Sequence, residues 1–174
     1  LYERLRQETF DQLEDPQMQV GRVEGAFLRL MVQVTGARRI LELGTFSGYS
    51  ALSMASGMPS DGQLITCDLD PVVTGVARRY FDESPWGGQI EIRLGPALDT
   101  LASLQGSEFD LVFLDADKEN YVHYWQAVIP MLRTGGVVLA DNTLWSGAVL
   151  NPQEDSDHGI VNFNRMVTED PRVD

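Results

Sequence analysis

Short apolar segments alternate with segments of helical periodicity from about residue 22 to residue 141. The apolar segments predict five strands, at 39–43, 63–67, 89–94, 109–114 and 136–140. Such alternation is typical of a mostly parallel sheet covered by helices on both faces. The 174 residues suffice for one α/β domain with a full core. We expect residues 1–35 to form N-terminal helices and residues 36–174 to form the α/β core.

The helical segments carry apolar residues at helical spacing. Residues 1–14 are predicted to form a helix that Asp15-Pro16 ends. A second helix is predicted with one apolar face, composed of Val23, Phe27, Leu30, Met31 and Val34. A later helix would bury Tyr121, Trp125, Val128 and Leu132 before a stop at residues 133–136, and a last helix would carry Ile160, Phe163 and Val167.

Composition limits the partners and the location of the chain. Thirteen Lys and Arg against 26 Asp and Glu give a net charge of −13, which disfavours nucleic acid as the main partner. No apolar run reaches the length of about 18 residues that a membrane-spanning helix needs, so no membrane partner is predicted. The lone Cys67 cannot form an internal disulfide, which favours a reducing, cytoplasmic location.

A glycine-containing turn follows the first predicted strand, in the sequence LELGTFSGYS at 41–50. Ligands of open α/β sheets bind beyond the carboxyl ends of the strands, where Gly44 would let backbone approach a ligand or simply permit the turn. The third glycine of a dinucleotide fingerprint is missing. Asp68, at the end of the second strand, is suited to hold ribose hydroxyls. Asp70 is better explained as a helix N-cap, and Cys67 as a small buried residue.

Acidic residues also follow the fourth and fifth predicted strands. Because these ends are neighbours in an ordinary parallel sheet, Asp115, Asp141 and Asn142 would converge as three oxygen ligands. Hard cations prefer such ligands, and Mg²⁺ is favoured here over Mn²⁺ or Ca²⁺. The alternatives are that Asp117 caps the next helix and that Asp141 and Asn142 form a polar turn. His123 and His158 have no ligand-like spacing and are expected at the surface or in packing.

These blocks together resemble the cation-dependent O-methyltransferases, which include catechol and caffeoyl-coenzyme A O-methyltransferases. The blocks that carry the resemblance are MQVG at 18–21 with Glu24-Gly25, LELGTFSGYS at 41–50, CDLD at 67–70, FLDADKENY at 113–121 and LADNTLWSG at 139–147. The resemblance implies a Rossmann-like sheet, S-adenosylmethionine as methyl donor, a divalent cation and a homodimer.

The resemblance also assigns roles to individual residues. It implies a cofactor site lined by Val20, Glu42, Gly44, Phe46, Ser50, Asp68, Ala97 and Asp115, with Asp68 on the ribose and Ala97 by the adenine. Asp115, Asp141 and Asn142 would hold the metal, and Lys118 matches the family's general base. We further expect Asp117 and Trp145 at the acceptor, with Trp145 as an apolar wall or, equally, as a plug at the sheet edge.

Three features depart from the family pattern. Pro96 is unusual in the adenine-side turn, and Ser146 stands where the plant coenzyme A thioester enzymes carry Asn. The family continues past residues 171–173 into two more strands, so we expect the C-terminal antiparallel strands to lie outside this chain. The first residue is Leu1, so we expect the chain to be shortened at that end as well.

The function predicted from these residues is metal-dependent methyl transfer from S-adenosylmethionine to a hydroxyl of a small catechol-like phenol. A cation bound to both oxygens of a vicinal diol would favour the anion of a weakly acidic phenol. The alternatives are methylation of a hydroxylated nucleoside in tRNA, which the net charge disfavours, a nicotinamide-dependent oxidoreductase, and a non-catalytic binding domain.

Overall fold

The computed structural model describes residues 1–174 and contains five strands and seven α-helices. The strands are β1 (Arg39–Leu43), β2 (Gln63–Asp68), β3 (Ile90–Leu94), β4 (Phe109–Leu114) and β5 (Leu132–Ala140). The helices are α1 (Tyr2–Gln12), α2 (Arg22–Thr35), α3 (Tyr49–Ala55), α4 (Pro71–Glu83), α5 (Ala97–Ser103), α6 (Tyr121–Val128) and α7 (Asp155–Glu169). The predicted α/β class is therefore confirmed.

The five strands form one parallel sheet in the order β3-β2-β1-β4-β5. The chain leaves the central β1 toward β2 on one side and returns to β4 on the other. Ligands of open α/β sheets bind at such a switch point, beyond the carboxyl ends of the strands. The register places Leu43 opposite both Cys67 and Leu114, and Leu114 opposite Ala140. The residues that follow β1, β2, β4 and β5 therefore meet at one edge.

Apolar residues on both faces of the sheet build two cores, as expected for a sheet covered by helices. Ile40 and Phe113 pack with residues of α1 to α4 on one face. Leu41 and Leu114 pack with residues of α5 to α7 on the other face. Because side chains alternate along a strand, neighbouring residues of β1 and β4 enter opposite cores.

The face of α2 that packs on the protein differs from the prediction. Val23, Phe27, Leu30 and Val34 are exposed, and the buried residues of α2 are Gly25, Leu28 and Val32. A Cβ atom at position 25 would lie 2.7 Å from Ser53 Oγ and 2.8 Å from Tyr49 Cε1. The missing side chain at Gly25 therefore lets α2 approach α3 closely, and this contact determines which face is buried.

The predicted helix stop before the fifth strand is wrong. The segment 133–136 and Leu132 belong to β5, which begins four residues earlier than predicted. The helix already ends at Val128, where a 3₁₀ turn at Ile129–Met131 follows. The first residues of β5 pair irregularly, with a register shift between Phe109 and Leu111 of β4. The sequence pattern therefore did not show that β5 begins at Leu132.

The local predictions for Asp70, Cys67 and the two histidines agree with the structure. The Asp70 carboxylate accepts a hydrogen bond from the Val72 backbone N–H at 2.7 Å and caps α4. Cys67 is buried, and burial raises the pKa of its thiol to about 12. His123 and His158 are both exposed. None of the helices has the length and apolar character that crossing a bilayer requires.

Candidate active site

A cavity of about 1490 Å³ opens at the carboxyl edge of the sheet. Its wall contains nearly all of the predicted site residues, namely Val20, Gly44, Phe46, Ser50, Asp68, Ala97, Asp115, Asp117, Lys118, Asp141, Asn142 and Trp145. Glu42 does not reach the wall and lies fully buried behind it. The structure therefore brings the two predicted halves of the site, after β1 and β2 and after β4 and β5, into one cavity.

Gly44 is required by the close approach of two strand ends. Its φ is 101°, a region that side chains disfavour. A Cβ atom at this position would lie 1.9 Å from the backbone oxygen of Asp115. The turn after β1 therefore passes directly against the end of β4, and only glycine permits both the dihedral angle and the contact.

Asp68 organises the same turn from the end of β2. Its Oδ2 accepts a hydrogen bond from the Phe46 backbone N–H at 2.7 Å, and its Oδ1 accepts one from the Asp70 N–H at 3.0 Å. Phe46 has a φ of 45°, which is uncommon for a residue with a side chain. The sequence offered no structural reason for Asp68, but this carboxylate evidently holds the glycine turn in addition to any role toward a ribose.

Glu42 is the most deeply buried acid of the chain. It is fully inaccessible on β1, and neither carboxylate oxygen has a hydrogen-bond partner. Burial disfavours the charged form and raises the pKa of Glu42 to about 8. The side chains of Ser50 and Thr66 oppose this shift. A buried carboxyl group without a well-formed hydrogen bond costs free energy, and the neutral form reduces that cost.

Lys118 links the end of β4 to α6. Its Nζ donates to Asp115 Oδ1 at 2.9 Å and to the Tyr121 hydroxyl at 2.8 Å, and the side chain is buried. The Tyr121 hydroxyl donates to the Leu114 carbonyl at 3.0 Å. Tyr121 thus positions the Lys118 ammonium group. The sequence did not reveal this role, because the spacing of Tyr121 indicated only an apolar helical stripe.

Asp115 and Asp141 lie side by side on neighbouring strand ends. The Asp141 N–H donates to the Leu114 carbonyl at 3.0 Å, and Asp141 Oδ1 accepts from the Asn142 N–H at 2.7 Å. Burial raises the pKa of Asp115, Lys118 opposes this shift, and Asp141 adds to it. Two like charges next to each other favour a bound cation.

The oxygen donors of Asp115, Asp141 and Asn142 suit a hard divalent cation, although three donors are a small set. No cluster of three or more His, Cys, Asp or Glu side chains with metal-binding geometry is present. Two carboxylates and the Asn142 amide oxygen would leave several positions of an octahedral ion to water or an acceptor. The polar turn that was the alternative prediction for Asp141 and Asn142 is also present. A polar turn and a metal site at these two residues are compatible.

Asp117 and Trp145, the two residues predicted at the acceptor, both lie in the cavity wall. Asp117 stands at the N-cap of a 3₁₀ turn, but its side chain caps no backbone group. It accepts instead from Tyr124 Oη and from Asn120 Nδ2, so the predicted capping role is wrong. The Trp145 Nε1–H donates to Asp157 Oδ1 at 2.9 Å, which holds the indole against α7.

Glu24 is a further acid of the cavity wall that sequence reasoning did not place at the site. It lies in the first turn of α2 and is partly buried. Burial, together with the charges of Asp141 and Asp115, raises the pKa of Glu24 to about 7, and Lys118 opposes the shift. From the sequence, an acid in the first turn of a helix is explained by a favourable interaction with the helix dipole. The sequence therefore gave no separate indication that Glu24 lies in the cavity wall.

The fold is a Rossmann-like α/β domain with an acidic cavity at the carboxyl edge of its parallel sheet. The chain belongs to the O-methyltransferase family, whose sequence profile matches residues 1–174. The predicted enzyme class, S-adenosylmethionine-dependent O-methyltransferase, is confirmed at this level.

Relatives from bacteria and plants show the same likeness. A catechol O-methyltransferase of Mycobacterium tuberculosis is 40% identical over 94% of this chain and 75% of its own length. A caffeoyl-CoA O-methyltransferase of Zea mays is 34% identical over 82% of this chain and 56% of its own length. The crystal structure of a Bacillus cereus O-methyltransferase in complex with S-adenosylhomocysteine matches with a TM-score of 0.91 and 31% identity, over 98% of this chain and 79% of that chain.

Proposed function

We propose that this enzyme transfers the methyl group of S-adenosylmethionine to one hydroxyl of a small catechol, with a divalent cation bound at Asp115, Asp141 and Asn142. The observation that carries the proposal is the single cavity shared by the ends of β1, β2, β4 and β5. A glycine turn for a cofactor and a carboxylate pair for a metal open into the same space. Methyl transfer requires this proximity, because donor and acceptor must meet in line.

The cofactor half of the proposal assigns Asp68 to the ribose and the Gly44 turn to the methionine part. The partnerless carboxyl group of Glu42 lies behind this turn. The B. cereus relative, whose crystal structure contains S-adenosylhomocysteine, supports S-adenosylmethionine as the cofactor.

The metal half of the proposal assigns three oxygen donors to one cation. When bound, a divalent cation supplies electrostatic stabilisation of a phenolate and orientation of a vicinal diol. Asp115 and Asp141 provide the negative charge, and Asn142 provides a neutral oxygen. The Asn142 backbone has a φ of 60°, so its conformation is set by the turn that also positions Asp141.

Lys118 is the proposed general base for the acceptor hydroxyl. Its Nζ donates to Asp115 Oδ1 at 2.9 Å and to the Tyr121 hydroxyl at 2.8 Å, and these contacts hold the amine beside the proposed metal ligands. Lys118 can then remove the phenolic proton, and the oxygen attacks the sulfonium methyl group while the carbon–sulfur bond breaks.

The acceptor is proposed to be a catechol because chelation needs two adjacent oxygens. Trp145 lies in the cavity wall and offers an apolar surface to an aromatic ring. The relatives include a catechol and a caffeoyl-CoA enzyme, and Ser146 in place of Asn weakens the coenzyme A alternative. The homodimer and the cytoplasmic location stay predictions.

The experiment that tests the proposal is turnover with labelled S-adenosylmethionine, Mg²⁺ and a panel of matched catechols and monophenols. The catechols should exceed the monophenols by at least about tenfold in kcat/KM, or about 1.4 kcal/mol of transition-state stabilisation. A chelator should abolish the reaction and Mg²⁺ should restore it. Equal rates on both acceptor types would refute the chelate, and salt-sensitive methylation of tRNA in place of phenols would favour the nucleoside alternative.

A further inference from the structure

The segment between α1 and α2, residues 13–21, contributes a part of the cavity wall that comes from outside the sheet. Every residue of this N-terminal segment except Pro16 lines the cavity. The turn after β1, residues 44–48, lines it along its whole length. The proposed cofactor site takes Val20 from the N-terminal segment and Gly44 from the turn. The relative position of the segment and the turn therefore matters for cofactor binding.

Few interactions tie the N-terminal segment to the rest of the cavity. Its backbone hydrogen bonds stay within the segment or reach the adjoining helices α1 and α2. The Gln17 side chain donates to Asp15 Oδ1, again within the segment. Val20 is its one buried residue. The only hydrogen bond from the N-terminal segment to the turn after β1 is donated by the side chain of Gln19.

The amide group of Gln19 bridges two buried hydroxyl groups. Its Nε2 donates to Ser47 Oγ of the turn and to Thr9 Oγ1 of α1, each at 2.8 Å. Both acceptor residues are fully buried. The Thr9 hydroxyl donates its own proton to the Leu5 carbonyl at 2.8 Å, so toward Gln19 it can only accept. This fixes the orientation of the amide, and both of its N–H groups are used.

Ser47 lies where the backbone of the turn is least regular. Its neighbours Phe46 and Gly48 have φ values of 45° and 88°. Backbone of this kind persists where surrounding contacts determine it. Asp68 accepts from the Phe46 N–H at 2.7 Å, and Gln19 donates to the Ser47 hydroxyl. The turn is thus held from two sides, and the contact to Gln19 is the one that also reaches the N-terminal segment.

We infer that Gln19 is a positioning residue for the cofactor, because it holds the N-terminal segment and the turn after β1 at the spacing in which S-adenosylmethionine can contact both. The inference rests on the proposed function and deepens it at the cofactor half of the cavity. Gln19 is assigned no part in proton removal or metal binding. Without its amide, cofactor binding must itself order the two parts of the wall, and this cost weakens binding.

Calorimetric titration with S-adenosylhomocysteine tests the inference without an acceptor. Gln19→Leu removes both N–H donors and keeps a side chain of similar size. The Kd should rise by about fivefold to tenfold, which corresponds to one hydrogen bond that is no longer formed before binding. In turnover, the KM for S-adenosylmethionine should rise by a similar factor, while kcat changes by less than about twofold.

Gln7→Leu is the matched control. Gln7 is an exposed residue of α1 outside the cavity wall, and its amide donates only to Asp11 in the same helix. This variant makes the same chemical change without touching the turn. Its Kd for S-adenosylhomocysteine should equal that of the wild type.

Ser47→Ala breaks the contact from its other end. It should raise the Kd by about the same factor as Gln19→Leu, and the double variant should bind no more than about twofold more weakly than either single variant. This non-additivity distinguishes positioning through Ser47 from a direct contact of Gln19 with the cofactor. Ser47→Ala also provides the test by itself if Gln19→Leu does not fold, which circular dichroism shows.

Hydrogen exchange provides a readout that is independent of affinity. In the wild type, saturating S-adenosylhomocysteine should slow the exchange of the N-terminal segment and of the turn together. In Gln19→Leu, at equal saturation, the turn should stay protected while the N-terminal segment loses most of its protection. Gln7→Leu should behave as the wild type does.

The possible failures are distinguishable. If the wild type binds S-adenosylhomocysteine and Gln19→Leu binds it equally well, the inference is overturned and the proposed function stands. If Gln19→Leu binds weakly but Ser47→Ala binds as the wild type does, Gln19 contacts the cofactor directly and the positioning role is overturned. If the wild type binds no S-adenosylhomocysteine, the proposed cofactor assignment fails and the inference fails with it.

Discussion

The two halves of the cavity are built in different ways. At the ends of β1 and β2, backbone and side chains satisfy one another: Gly44 contacts the Asp115 backbone, and Asp68 holds the Phe46 and Asp70 N–H groups. At the ends of β4 and β5, Asp115 and Asp141 lie together with Lys118 as the one opposing charge. The first half is determined by backbone geometry and the second by electrostatics.

This difference implies different responses to ligands. The turn of the cofactor half is preorganised without any ion, because the Asp68 hydrogen bonds and the close contact at Gly44 hold it. The acidic half has charges in excess, and burial together with these charges raises the pKa of Asp115 and Glu24. A cation should therefore change the acidic half and leave the cofactor half nearly unaffected.

The largest effect is expected for Gly44→Ala. The new Cβ would collide with the Asp115 carbonyl oxygen and would occupy a positive φ, so the ends of β1 and β4 must separate. We expect a loss of about 3 kcal/mol or more in the free energy of unfolding, together with loss of S-adenosylhomocysteine binding. Chemical denaturation and calorimetry measure the two effects.

Gly75→Ala is the matched control for that variant. Gly75 lies within α4, and a Cβ atom there would meet nothing within 4 Å. Alanine is a better helix former than glycine by about 1 kcal/mol, so this variant should be slightly more stable than the wild type. Equal destabilisation by both substitutions would contradict the steric explanation for Gly44.

The acidic half should be most sensitive at Asp141. Asp141→Ala removes a proposed ligand and one hydrogen bond to the Asn142 N–H. We expect Mg²⁺-dependent turnover to fall by about three orders of magnitude, because the electrostatic stabilisation supplied by a metal amounts to several kcal/mol. The unfolding midpoint should change little. Retained turnover would show that the metal is held elsewhere.

Lys118→Met tests the proposed base with a side chain of similar length. We expect kcat to fall by about a hundredfold, at the low end for a general base, while KM changes much less. Asp115 loses its ion-pair partner, so its pKa should rise further, as infrared titration of the carboxyl band can show. A fall in kcat/KM caused entirely by KM would assign Lys118 to acceptor binding instead.

The smallest expected effect, counted per pH unit, is a pH dependence of stability in the cofactor half. Glu42 has a folded-state pKa of about 8, above its ordinary value of 4.5. Between these values the unfolded chain loses a proton that the folded protein keeps, so stability falls as pH rises from about 5 to 8. One proton contributes at most about 1.4 kcal/mol per pH unit. Glu42→Gln should reduce that slope in ligand-free protein, whereas an unchanged slope would contradict the assignment.

The sequence predicted the fold well because its periodicities report directly on burial. All five strands lie where the apolar segments predicted them, apart from the early start of β5. Asp68, Asp115 and Asp141 each lie at or just after the end of a predicted strand. Because parallel strands have their carboxyl ends at the same edge, this was sufficient to predict that the three residues lie together.

The errors arose where a tertiary contact decided the outcome. The apolar stripe of α2 predicted the wrong buried face, because a missing side chain at Gly25 dominates the packing on α3. Glu24 and Tyr121 were missed for a related reason. Their roles depend on partners that are distant in sequence, Asp141 for Glu24 and the Leu114 carbonyl for Tyr121. Periodicity carries no information about such contacts.

The measurement that tests this account most directly is calorimetric titration of the protein with S-adenosylhomocysteine and then with a catechol, each in the presence of Mg²⁺ and of a chelator. The account predicts micromolar S-adenosylhomocysteine binding under both conditions, and catechol binding to the cofactor-loaded enzyme only with Mg²⁺. Catechol binding of equal affinity in chelator would contradict the division of the cavity into a preorganised cofactor half and a cation-dependent acceptor half.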